Sequence, residues 1–105
     1  MFAGSLGITM KSYRFKAQVW RWPGYGGWYF VNLPRDLSVK IKKVGKPYGS
    51  GFIKVKVTVK KSSWVTALFP HKESRAYLLS IKKNIRKKEG VYENDIIKVS
   101  FFLIK

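Results

Sequence analysis

Between Gly51 and Lys60, apolar and cationic residues alternate: Gly51-Phe52-Ile53-Lys54-Val55-Lys56-Val57-Thr58-Val59-Lys60. A two-residue period is that of an extended strand, because successive side chains leave opposite faces of the backbone. Ile53, Val55, Val57 and Val59 share one face. Lys54, Lys56, Thr58 and Lys60 share the other. The chain must bury one side of a sheet and hold a row of ammonium groups on the other. Its charge is laid out on folded surface rather than gathered in a tail.

The same period recurs along the chain. Residues 13–20 read as a strand with Tyr13, Phe15, Ala17 and Val19 inward and Arg14, Lys16, Gln18 and Trp20 outward. Trp22-Pro23-Gly24-Tyr25-Gly26-Gly27 is a turn, and Trp28–Leu33 resumes as the second arm of a hairpin. Pro34 fixes φ at a helix start, Leu37, Ile41 and Val44 form an apolar stripe, and Gly45 marks the helix end. Ser62-Ser63 reads as a turn or bulge between strands 52–60 and 64–69. A fifth strand, 76–81, runs into a short cationic helix over 82–89 that touches the core through Ile81 and Ile85. Residues 97–103 close the chain as the last strand.

The expected fold is mainly β: a small closed antiparallel, Greek-key β-barrel of about six strands with two short helices, since closure removes sheet edges. Residues 11–105 form one domain, and residues 1–10 read as a ragged extension ahead of Met10. The absence of cysteine excludes a disulfide framework and thiolate metal sites. No apolar run approaches the roughly 20 residues that span a bilayer. No membrane insertion and a cytoplasmic location are expected.

Gly26-Gly27-Trp28-Tyr29-Phe30-Val31-Asn32-Leu33-Pro34 resembles the signature of the domain-of-unknown-function 1905 family. So does Leu79-Ser80-Ile81-Lys82-Lys83-Asn84-Ile85-Arg86-Lys87, followed by Gly90 and Asn94-Asp95-Ile96-Ile97-Lys98-Val99. Asn94 stands where that family usually has glycine, and asparagine tolerates the left-handed backbone such a turn needs. The resemblance implies a small closed barrel similar to the double-split barrels of AbrB-like proteins, relatives of which bind DNA as dimers. It implies no activity.

Catalysis has little to work with. The acids Asp36, Glu73, Glu89, Glu93 and Asp95 fall in expected turns and helix ends, where local structural roles suffice. His71 is the one histidine, and Ser62-Ser63 has no neighbouring base. The glycine-rich turn precedes no helix, so it is no phosphate loop. We expect no enzyme activity, no catalytic residues, no metal and no cofactor.

The charge points instead to a polyanion. Twenty-two lysines and arginines face five acids, a net charge of +17 that opposes compaction unless an anion offsets it. Thermophily would enrich glutamate as well, and a lysine-favouring genome would not remove acids. The expected partner is nucleic acid, RNA or DNA. Its contacts are Arg14, Lys16, Lys54, Lys56 and Lys60 on strands and Lys82, Lys83, Arg86, Lys87 and Lys88 on the second helix. Seventeen of the cations are lysine, a point charge for phosphate rather than a fork for base edges, so recognition should be largely sequence-independent. Trp20, Trp22 and Tyr25 could stack bases. Alternatively Trp20, Trp22 and Trp28 plug the barrel end, Trp28 most of all. Two rival functions are a small-ligand barrel, with a cavity lined by Trp22, Tyr25 or Trp64, and an assembly module pairing as a homodimer through an edge strand or through Phe102 and Ile104.

Overall fold

The computed structural model describes residues 11–104; the extension 1–10 lies outside them. Seven strands and two helices follow in the order β1 (Ser12–Gln18), β2 (Trp20–Arg21), β3 (Tyr29–Asn32), α1 (Arg35–Val44), β4 (Ile53–Val59), β5 (Ser62–His71), β6 (Ala76–Ser80), α2 (Lys83–Glu89) and β7 (Ile96–Leu103). The strands form one sheet in the order β1-β7-β4-β5-β6-β3-β2, every neighbour antiparallel.

The sheet is an open half-barrel of seven strands, which corrects the expected closed barrel of six. The reason lies at Val19. The expected strand 13–20 divides there: β1 pairs with β7, and β2 pairs with β3. Val19 itself uses its backbone groups on the turn before β7. Its N–H donates to the Asp95 carbonyl at 2.8 Å, and its carbonyl accepts from the Asn94 N–H at 2.7 Å. β1 and β2 therefore share no ladder with each other and stand at the two ends of the sheet order. On the far side β5 also changes partners, pairing with β4 up to Leu68 and with β6 from Phe69. The sheet thus has two halves, β1-β7-β4-β5 and β5-β6-β3-β2.

The core fills the concave side. The apolar face of β4 lies within it as the alternation requires, with Ile53, Val55, Val57 and Val59 all buried beside Phe15, Val99 and Phe101. Each such side chain contributes about 1.5–3 kcal/mol on burial. Trp64 is the core tryptophan, 8% exposed, whereas Trp28, expected there, is 55% exposed. The family-like run begins with Trp28, but the strand begins at Tyr29, leaving Trp28 on the loop.

The turn expected at Ser62–Ser63 falls at Lys60–Lys61. Val59 pairs directly with Ser62, and Lys60 takes a left-handed φ of 54°. Both serines belong to β5: Ser63 shares a 2.8 Å hydrogen bond with Thr58, and buried Ser62 donates to the Glu89 carboxylate. Asn94 adopts the expected left-handed conformation, φ 75°.

Helix α1 buries Ser38 and Ile41, with Leu37 half-buried, while Val44 is 44% exposed. The stripe is rotated because Ser38 Oγ accepts the Tyr77 N–H at 3.1 Å, docking the helix on β6. Burial also pushes the Tyr77 phenol above its ordinary value of 10.0. Gly45 ends the helix with extended backbone (φ −79°, ψ 164°), not the left-handed cap common for glycine. What requires glycine is proximity: a Cβ there would lie 2.9 Å from the Ile41 carbonyl and 3.0 Å from Ile53 Cδ1. Gly45→Ala should therefore cost about 1–3 kcal/mol, as overpacking does. Urea unfolding of the variant would measure it, and an unchanged midpoint would contradict this assignment.

Candidate nucleic-acid interface

Register decides which charges meet. On the convex side of the first half-sheet β1 presents Arg14 and Lys16, β7 presents Lys98 and Ser100, and β4 presents Lys54, Lys56 and Thr58. Arg14 lies opposite Ser100, which lies opposite Thr58; Lys16 lies directly opposite Lys98. The other outward residues here are Ser12, Gln18, Ile96, Phe102, Ser63, Val65 and Ala67, so no carboxylate interrupts the face. Like charges directly opposite in an antiparallel pair are destabilising. Arg14, Lys16, Lys98 and Lys60, with the hydroxyls of Thr58 and Ser100, line a shallow groove of about 440 Å³.

Lys60 is in the β4–β5 turn rather than on the strand's lysine row. Its Nζ donates to the Glu89 carbonyl at 2.8 Å, placing a cation at the C-terminal end of α2, where the helix dipole favours one. It links the groove to the exposed Lys87 and Lys88 of that helix. Lys82 and Lys83 are exposed as well, at the other end of α2.

Arg86 is placed differently. Its Nε donates to the Ile81 carbonyl at 3.2 Å and its Nη2 to the Gly27 carbonyl at 3.5 Å. Its guanidinium carbon lies 3.7 Å from the Tyr29 ring centroid. Of the residues singled out on α2, this one is held within the fold, tying the helix to the loop before β3.

The convex side of the second half-sheet is aromatic. Phe30 and Leu78 alternate with core-facing Val31 and Leu79, yet are themselves buried, under rings rather than in the main core. Trp20 lies 5.4 Å from Phe30 and 5.6 Å from Trp22, centroid to centroid. Phe30 continues to Phe69 at 5.6 Å, and Phe69 to Phe52 at 5.8 Å. Trp20 is anchored by its Nε1–H to Asn32 Oδ1 at 2.6 Å. Trp22, 41% exposed, borders an open hollow; Tyr25 is fully exposed, and Trp64 is in the core, so neither closes a cavity with it.

Two signals escaped sequence reasoning. Lys98 was visible only as an outward residue of the last strand, because its pairing with Lys16 depends on register between chain ends. Phe69 and Trp28 approach the same hollow only through the turn of β5 onto β6. Two acids are engaged locally, Asp36 accepting the Leu37 N–H and Asp95 the Tyr92 N–H, while Glu89 accepts the hydroxyl of Ser62 from across the fold. Among the described residues no three His, Cys, Asp or Glu side chains gather to hold a metal, and no helix is long and apolar enough to cross a membrane.

Fold and surface together define a class: a small, strongly basic antiparallel half-barrel with two short helices. Within it, the model of a domain of unknown function (DUF1905) matches residues 15–101, and the chain belongs to that family. A search of the curated proteins gave no match. The Ile85-Arg86-Lys87 segment takes three different roles here: Ile85 is buried, Arg86 clamps the loop, and Lys87 is exposed.

Proposed function

We propose that this chain is a non-enzymatic nucleic-acid-binding module that holds RNA or DNA through the convex lysine face, largely without reading sequence. The observation that carries the proposal is the cross-strand Lys16–Lys98 pair in a groove that also takes Arg14 and Lys60. An arrangement that disfavours the free fold is offset when phosphates neutralise it. Lys54 and Lys56 extend the face along β4. Lys87 and Lys88 extend it past Lys60, and Lys82 and Lys83 add a second cationic edge. Lysine heads on stems that follow a shallow surface suit backbone phosphates better than base edges.

Contacts from Arg14, Lys16, Lys54, Lys56 and Lys98 give a steep salt dependence. With five phosphates engaged, affinity for mixed-sequence duplex or single strand should fall by about 100- to 500-fold between 50 and 200 mM salt. Fluorescence-anisotropy titration at the two concentrations measures the slope. Absence of binding at the lower salt would sink the proposal.

A further inference from the structure

The aromatic hollow has no part in the lysine-face contacts, and the cleft beside it shares with them only Lys82 and Lys83. We infer that hollow and cleft form a second site, which takes one unpaired nucleotide of a single strand: its base against Trp22 and Trp28, its phosphate against Arg21, Lys82 and Lys83. This rests on the nucleic-acid reading above and narrows it to strands with accessible bases.

The hollow, about 340 Å³, is bounded by Trp22, Trp28, Phe30, Phe69 and His71. His71 is held by its Nδ1 to Ser74 Oγ at 2.8 Å and stands edge-on to Trp22, 78° between planes. Two half-exposed indoles over a floor of buried Phe30 and Leu78 make an apolar recess suited to a flat aromatic guest. Trp28 and Phe69 also border the adjoining cleft, about 910 Å³, whose rim carries Arg21, Lys82 and Lys83 against the single carboxylate of Glu93. The two cavities thus share a wall, apolar on one side and cationic on the other. A nucleotide has this same polarity, a planar base joined to an anionic phosphate. In a duplex the base faces are covered by their neighbours, so only an unpaired base can offer one to an indole.

Trp28 is held for such a role. A Cβ on Gly26 would lie 2.8 Å from the Trp28 Nε1, and Gly26 is at φ 97°, so only glycine lets the loop pack on this indole. Arg86, donating to the Gly27 carbonyl, fixes the loop from the other side. Arg86 is a positioning residue for this site.

The test uses the full chain at low salt with four probes: oligothymidylate, an abasic strand of equal length and charge, a duplex, and thymidine 5′-monophosphate. Oligothymidylate should bind about 5- to 150-fold more tightly than the abasic strand and quench tryptophan fluorescence, the range expected for one stacked base. Trp28→Ala should remove that difference and leave abasic binding unchanged. Trp28→Phe should restore part of it, and Gly26→Ala, which displaces the indole, should behave like Trp28→Ala. Equal binding of oligothymidylate and abasic strand, unmoved by these substitutions, would overturn this site and leave the lysine face standing. Failure of every strand to bind would overturn both. Monophosphate binding as tight as the strand's would overturn a strand as the occupant.

Discussion

Lys98→Glu should weaken nucleic-acid binding by about a hundredfold at 50 mM salt and at the same time stabilise the free protein. The substitution removes one phosphate contact and engages a second, because the new carboxylate lies directly opposite Lys16. Each lost contact is worth about a factor of ten at that salt through counterion release. On the stability side, a like-charged cross-strand pair becomes an opposite-charged one, a gain of about 0.5–1 kcal/mol, and the net charge of +17 falls by two units. Anisotropy titration and urea unfolding of the same variant read the two effects. If the lysine face were merely a solvated surface, the stability gain would appear without any loss of binding. The opposite result, a destabilised variant, would mean that Lys98 supports the fold.

Arg86→Ala should act in the reverse sense, lowering stability by about 2–4 kcal/mol. Two carbonyls lose a charged donor, and Tyr29 loses a stacked guanidinium. Hydrogen bonds to charged groups contribute about 1.5–3 kcal/mol and a cation over a ring about 0.5–2. The melting temperature should fall by about 10 °C or more. Lysine should not rescue, since a point charge cannot fork between Ile81 and Gly27 while lying flat on a ring. Lys87→Ala and Lys88→Ala, one and two residues on and exposed, should stay within about 0.5 kcal/mol of the parent. Thermal melts of the four variants decide the matter. An Arg86→Ala protein as stable as the parent, with binding reduced as in the lysine variants, would return Arg86 to the binding surface.

These two residues show where sequence reasoning stops. Lys98 alternates outward in a run of clear period, so its exposure was legible; its partner, more than eighty residues away, was not. Arg86 lies in a short helix rich in cations, and composition alone places it with Lys87 and Lys88. Its placement against the fold depends on Tyr29 and Gly27 being brought beside it by pairing of β3 with β6. Trp28 failed for a local reason. A tryptophan next to a strand reads as core, but one residue of register decides whether it enters the sheet or stays on the loop. Conversely, the left-handed Asn94, the helix ended by Gly90 and the outward Lys54, Lys56 and Thr58 of β4 follow from local steric preference and period, and they stand as expected, whereas Lys60, expected on the same row, lies in the turn.

The amino-acid sequence by itself determined the elements: which runs are strands, which faces are apolar, where the two helices lie, and that most of the charge must remain at the surface. Those properties follow from the two-residue period of strands, the 3.6-residue period of helices and the cost of burying lysine, all of which act over a few residues. Tertiary structure alone decided that the sheet stays open: the strand divides at Val19, and its two parts stand, unpaired with each other, at the two ends of the sheet order. It alone set Lys16 against Lys98 and laid Trp22 and Trp28 along one hollow. Those pairings depend on register between segments far apart in the chain, and no local preference encodes it. The alternation seen between Gly51 and Lys60 fixed a cationic face; the register across β1, β7 and β4 made it a groove.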